Sequence, residues 1–233
     1  MPTRSTTCAS TVSVTRRGAR GTVLLALLAL PLLALPLLTT ACADDDPAAT
    51  TGDTSADADP RLIDLQDPAC TDATWSAPSQ SAPLATHTTA TSADHIPIVA
   101  ELKITTHPPS SGNHRPGWAK WGEYSYLPPQ RWLHNLEHGG VALLYHPCAG
   151  KAVAEALYQL AKSIPDDDSG AFRFVLTPYP GLPSAVAAVT WEWTWLNSEV
   201  DTAGLQAFIT AHYRKAPEDF GMAGDYDLAW LRD

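Results

Sequence analysis

Five stretches in the second half of the chain carry a readable hydrophobic spacing. VALLYH (141–146) is an unbroken apolar run closed by Pro147, the pattern of a short buried strand. KAVAEALYQLAKSI (151–164) sets Val153, Ala156, Leu157, Leu160 and Ile164 at helical spacing, and Pro165 with three aspartates ends it. FRFVLTPY (172–179) reads as a second strand. In AVAAVTWEWTWLN (185–197), Val189, Trp191, Trp193 and Trp195 alternate with Thr190, Glu192 and Thr194, which predicts a third strand with its three tryptophans on one face. DTAGLQAFITAHYRK (201–215) opens on a good N-cap residue, Asp201, and Leu205, Phe208, Ile209 and His212 share one side of the helix it starts.

The order β-α-β-β-α predicts an α+β domain: a small, mainly antiparallel sheet with helices on one face, ferredoxin-like in part and short of one strand. The tryptophan face would be the floor under the helices. Ahead of these elements, residues 105–131 hold five prolines and three glycines. Proline gives up its backbone donor and blocks interior helix, so this is a long loop. Trp118, Trp121, Tyr124 and Tyr126 give it apolar surface to pack with, which marks it as ordered and functional. It runs into RWLHNLEHGG (131–140), where His134 and His138 stand one helical turn apart and Gly139-Gly140 stop the helix after that turn.

Composition changes the picture at the N-terminus. Arg4, Arg16, Arg17 and Arg20 precede the apolar run VLLALLALPLLALPLL (23–38), and TTA then leads to Cys42. A basic leader, an apolar stretch and small residues before a cut describe a secretory signal. Pro31 and Pro36 make the run a poor permanent membrane helix. The cysteine after Thr39-Thr40-Ala41 looks like the acylation site of a bacterial lipoprotein, with Thr39 where leucine is usual. Residues 1–41 are thus expected to be a lipoprotein-type signal peptide, and residues 42–95 an acidic, Ala/Thr/Pro-rich tether that cannot bury enough surface to fold. Residues 96–233 are left as the globular domain.

Beyond residue 41 the chain has 11 Lys and Arg against 25 Asp and Glu. Such an acidic surface excludes a nucleic-acid partner, whose binding depends on neutralising phosphates. The expected location is the cell envelope, outside the cytoplasm or in a periplasm, with the membrane reached through a lipid on Cys42. In that compartment Cys70 and Cys148 are expected to form a disulfide. Cys148 as a soft metal ligand is the alternative.

The run HPPSSGNHRPGWAKWGEYSYLPPQRWLHNLEHGGVALLYHPC (107–148) resembles the domain of unknown function 3105 family. Three motifs carry the likeness. They are Pro108, Pro109, Ser111, Gly112 and His114; then Trp118, Gly122 and Tyr124; and then His134, Leu136, Glu137, His138 and Gly139. VLTPY, the tryptophan strand and APED (216–219) are similar to the family's C-terminal half, so the resemblance covers about 96–220. It implies a secreted or membrane-anchored protein and leaves the chemistry open.

Three chemistries fit these residues. His134 and His138 from one turn, His114 from the aromatic loop, and Glu137 as a fourth ligand or a partner fixing an imidazole tautomer would form a transition-metal site. Such donors suit zinc or copper, and nothing points to an organic cofactor. A second reading makes the chain a non-enzymatic module whose aromatic loop grips a protein or glycan, with His134 and His138 structural. The third treats His-x-x-Glu-His as a zinc hydrolase motif with Glu137 as general base. That motif wants a sustained helix and another acidic ligand, for which Glu155, Glu192 and Glu199 are conceivable. Metal binding without catalysis is the expectation. His87, His95 and His107 lie outside the family motifs and are not expected in the site, while His146 and His212 are expected to be structural.

Overall fold

The apolar run at 141–145 becomes the middle of a mixed, seven-stranded sheet. The computed structural model describes residues 68–233; the leader, Cys42 and the tether as far as residue 67 lie outside the described residues. In chain order the elements are β1 (Leu84–His87), β2 (Gly122–Tyr124), α1 (Pro129–Glu137), β3 (Val141–Tyr145), α2 (Lys151–Ser163), β4 (Phe174–Pro178), β5 (Val186–Thr190), β6 (Trp193–Asn197), α3 (Thr202–His212) and β7 (Trp230–Arg232). The strands lie in the order β1-β6-β5-β3-β4-β2-β7. Two pairings are parallel, β3 with β4 and β2 with β4. The pairings β3–β5, β5–β6, β1–β6 and β2–β7 are antiparallel. No helix among the described residues is long and apolar enough to cross a membrane.

The α+β class holds, and the finer expectation changes. In a ferredoxin-like order another strand separates the two that flank the first crossover helix. Here β3 and β4, joined through α2, pair directly with each other in parallel. Side chains alternate across β3 and divide the core in two. Val141 and Leu143, with Phe174, Leu176, Val186 and Ala188, meet Leu157 and Leu160 of α2 and Leu205, Phe208 and Ile209 of α3. Ala142 and Leu144, with Val175, Ala187 and Val189, meet Trp132, Leu133 and Leu136 of α1 and Ala119, Tyr124 and Leu127 of the loop. So α2 and α3 do cover one face, while α1 and the aromatic loop roof the other. A strand covered on both sides must be apolar throughout, which is why VALLY shows no alternation.

The stretch 185–197 is not one strand. It is the hairpin β5–β6, closed by Trp191 and Glu192 between the paired residues Thr190 and Trp193. Glu192 takes the left-handed backbone, φ 65°. The reversal sends Trp191 into the α1-side core, whereas Trp193 and Trp195 pack on the α2/α3 side. The expected shared face for all three tryptophans therefore fails. The packed chain also starts earlier than residue 96. β1 pairs with β6, and the Cys70–Cys148 disulfide ties residue 70 to the turn before α2. Cys148 is thus a disulfide partner here, not a soft metal ligand.

Helix α1 begins with Pro129 at its first turn, where the missing N–H costs nothing. It ends at Gly139, whose φ of +82° suits glycine at a helix C-terminus. Gly140 is required for a different reason. A β-carbon there would come within 2.5 Å of Trp121 Cζ3 and 3.0 Å of the Asn135 carbonyl. Gly140→Ala should therefore destabilise the domain by about 1–3 kcal/mol, the usual cost of overpacking. Chemical denaturation measures it, and an unchanged midpoint would contradict the contact.

Candidate metal centre

Four side chains from three segments meet beside α1. α1 supplies His134 and Glu137, whose spacing of three places them on one side of the helix. The loop supplies His114. The fourth is His95, which no motif or spacing nominates. Backbone pairing brings it in: Ile96 N–H donates to the His114 carbonyl (2.7 Å) and His114 N–H to the Asp94 carbonyl (3.1 Å), an isolated bridge that sets residues 95 and 114 side by side. One ligand atom from each of His95, His114, His134 and Glu137 lies within 4.8 Å of all the others, so the group could hold a metal ion.

The imidazoles are presented in a defined way. His114 Nδ1 lies 2.8 Å from the Gly112 carbonyl, and His134 Nδ1 lies 2.9 Å from the Arg115 carbonyl. A carbonyl only accepts, so each Nδ1 carries the proton and donates it. Each ring is thereby oriented through Nδ1 by an outer partner, as metal-ligating histidines usually are, with Nε2 as the remaining nitrogen. Glu137 Oε2 lies 3.0 Å from His114 Nε2 and 3.3 Å from His95 Nε2. His95 stacks on His134 with ring centroids 4.4 Å apart, and His114 lies 4.8 Å from His134. His114, His134 and Glu137 are buried, while the side chain of His95 is 45% exposed. His95 is the face the cluster turns to solvent.

His138 is not part of the four. It stands one turn beyond His134 and stacks on it (4.6 Å), edge-on against Trp118 at 3.5 Å and near Phe220 at 5.0 Å. Its Nδ1 is 3.4 Å from Glu218 but makes no aligned hydrogen bond, so proximity there is not a real bond. The C-terminus of α1 is tied down from outside. Glu218 N–H reaches the Glu137 carbonyl (3.1 Å), Arg214 N–H the Gly139 carbonyl (2.9 Å), and buried Arg173 the His138 carbonyl (2.8 Å) while pairing with Asp219. These bonds satisfy carbonyls a helix end leaves open. APED thus matters as a clamp on the helix that carries the site.

Residues weighed for other roles are engaged elsewhere. Glu192 accepts from Ala90 N–H and faces His87; Glu155 pairs with Arg232. His146 accepts from Cys148 N–H and stacks on Trp75, and His212 stacks on Trp193. His107 contacts the Tyr179 hydroxyl at 2.5 Å. Of the loop aromatics, Tyr124 and Tyr126 are buried in the core, as is Trp132 of α1, and none of the three is offered to a partner.

Electrostatics set the protonation states. Burial pushes the pKa of His134 down to about 4, and burial with nearby His134 pushes that of His138 down to about 3. Burial would raise Glu137, but the hydrogen bonds and charge of His114 and His95 outweigh it and hold the carboxyl below its usual range. All three groups bind protons less readily folded than unfolded. Their contribution is fully present above the unfolded histidine value, near 6.5, and is lost as pH falls toward 4. In chelator, the melting temperature should drop by roughly 5 °C or more between pH 7.5 and 4.5. Thermal melts read it, and a flat profile would contradict the buried, neutral state of the two histidines.

Residues 95–224 match the model of a family described as Protein of unknown function (DUF3105). No curated protein and no solved structure matches the chain.

Proposed function

We propose that this chain, which belongs to the DUF3105 family, is an extracytoplasmic lipoprotein whose folded domain binds one transition-metal ion. The anchor is acylated Cys42 in a bacterial membrane. The ligands are Nε2 of His95, His114 and His134 and a carboxylate oxygen of Glu137. One observation carries the reading. His114 Nδ1–H donates to the Gly112 carbonyl, which turns Nε2 toward a Glu137 carboxylate oxygen at 3.0 Å. A cation, a proton or a metal ion, must lie between two such atoms, and the three imidazoles and one carboxylate gathered there favour the metal.

Two separations in the group already match a metal ion, and the wider ones, up to 4.8 Å, would close as it binds. Bonds of about 2.0–2.1 Å to zinc give tetrahedral edges of about 3.3 Å, and the separations from Glu137 Oε2 to His114 and His95 are 3.0 and 3.3 Å. Three imidazoles and a carboxylate suit zinc or copper. Glu137 as a ligand has no free role as a general base, so binding is favoured over hydrolysis. A proton could also bridge His114 and Glu137, and that bracing role is what the test must separate.

The domain, purified without an affinity tag, is titrated with zinc and with copper against a chromogenic chelator. One equivalent taken up, with a raised melting temperature, is the expected result. No uptake of either metal by a folded domain would overturn the reading. The secretory leader and the Cys70–Cys148 disulfide support the oxidising compartment.

A further inference from the structure

The metal centre is a site of the open kind, and we infer that His95 is its exchangeable ligand, giving way at the metal to a small monodentate nitrogen or oxygen donor. The inference rests on the metal reading above and adds what the site is for. His114 and His134 each have Nδ1 fixed on a backbone carbonyl, at 2.8 and 2.9 Å, and their side chains are buried. His95 differs on both counts. Among the described residues its Nδ1 makes no hydrogen bond, and its side chain is 45% exposed. Stacking on His134, an edge-on contact with His114 and the 3.3 Å approach to Glu137 are what hold the ring.

A solvated ring without an outer partner can turn away and leave its backbone pairing intact, because that pairing uses main-chain atoms of residues 94, 96 and 114. Three buried ligands then keep the metal, and the vacated position faces water. Closed four-ligand sites are structural, whereas three protein ligands and one exchangeable position mark sites that bind or activate a small ligand. The donor that replaces His95 must match what leaves, a neutral imidazole-like nitrogen or a single oxygen. No bond other than the metal–ligand bond forms or breaks.

Cobalt(II) serves as the probe metal, since its visible spectrum reports coordination, with free imidazole as the donor. The wild-type chain, His95→Ala and His114→Ala are compared. His95→Ala should bind cobalt about 10–100-fold more weakly than wild type, a loss like that of an outer-shell partner. Its spectrum should shift saturably on adding imidazole and return toward that of the wild type. His114→Ala should bind none. Circular dichroism and melting confirm that His95→Ala is folded, as its exposed side chain leads one to expect.

Cobalt lost from His95→Ala as completely as from His114→Ala would overturn the inference. So would a His95→Ala spectrum that imidazole does not move. Failure of the wild-type chain to bind cobalt, zinc or copper would instead remove the metal reading itself, and the inference with it.

Discussion

His114→Ala should abolish stoichiometric zinc uptake, a loss well beyond the roughly 10–100-fold that removing an outer partner costs. The substitution deletes a proposed ligand with no exposed surface, whose Nε2 is 3.0 Å from Glu137 and whose Nδ1 is fixed on Gly112. Among the described residues no fifth side chain joins the group to replace it. The fold should largely survive, because the pairing of residues 94–96 with 114 is made by the main chain. The informative control is His138→Ala. From spacing alone His138 would be as good a ligand as His134, yet it packs against Trp118 and Phe220 outside the four. It should keep zinc at close to wild-type affinity. Equal loss from both variants would show the four-residue assignment to be wrong.

Trp132→Ala should cost about 3–5 kcal/mol, the range for deleting a large buried aromatic side chain. Trp132 is fully buried on α1, in the core cluster with Leu133, Leu136 and Val189, and sits edge-on to Tyr179. Among the described residues its indole N–H has no hydrogen-bond partner, so the loss is one of packing. The same helix holds His134 and Glu137, which links the core to the site. Zinc at 100 times its dissociation constant adds about 2.7 kcal/mol to any folded chain that binds it. Urea unfolding of Trp132→Ala with and without zinc should show that recovery. A loss under about 1 kcal/mol would mean α1 is not held by this core.

What could be read in advance followed from periodicity, and what could not followed from tertiary pairing. β3, α2, β4 and α3 lie where the apolar spacing put them, and the Asp201 cap is real, its carboxylate accepting from Gly204 N–H. β1, β2 and β7 are three or four residues long and are strands because of what they lie beside. No local pattern announces them. The β5–β6 reversal was hidden because Trp191-Glu192 has none of the glycine or asparagine that usually marks a two-residue hairpin. At the site, His114, His134 and Glu137 were legible from motif and helical spacing. Helical spacing also nominated His138, since it says which residues share a face but not how far along the axis a ligand can reach. His95 was invisible. Its place depends on a backbone bridge across nineteen residues, and it sits where a Ser/Thr/Ala/Pro-rich stretch gives way to the domain.

The measurement closest to the central claim is anomalous X-ray scattering at the zinc edge from crystals of the zinc-loaded domain. One peak is expected, about 2.0–2.2 Å from Nε2 of His95, His114 and His134 and from a carboxylate oxygen of Glu137. No peak among these residues at full zinc occupancy, or a peak bound elsewhere with His114 still directly on Glu137, would contradict it.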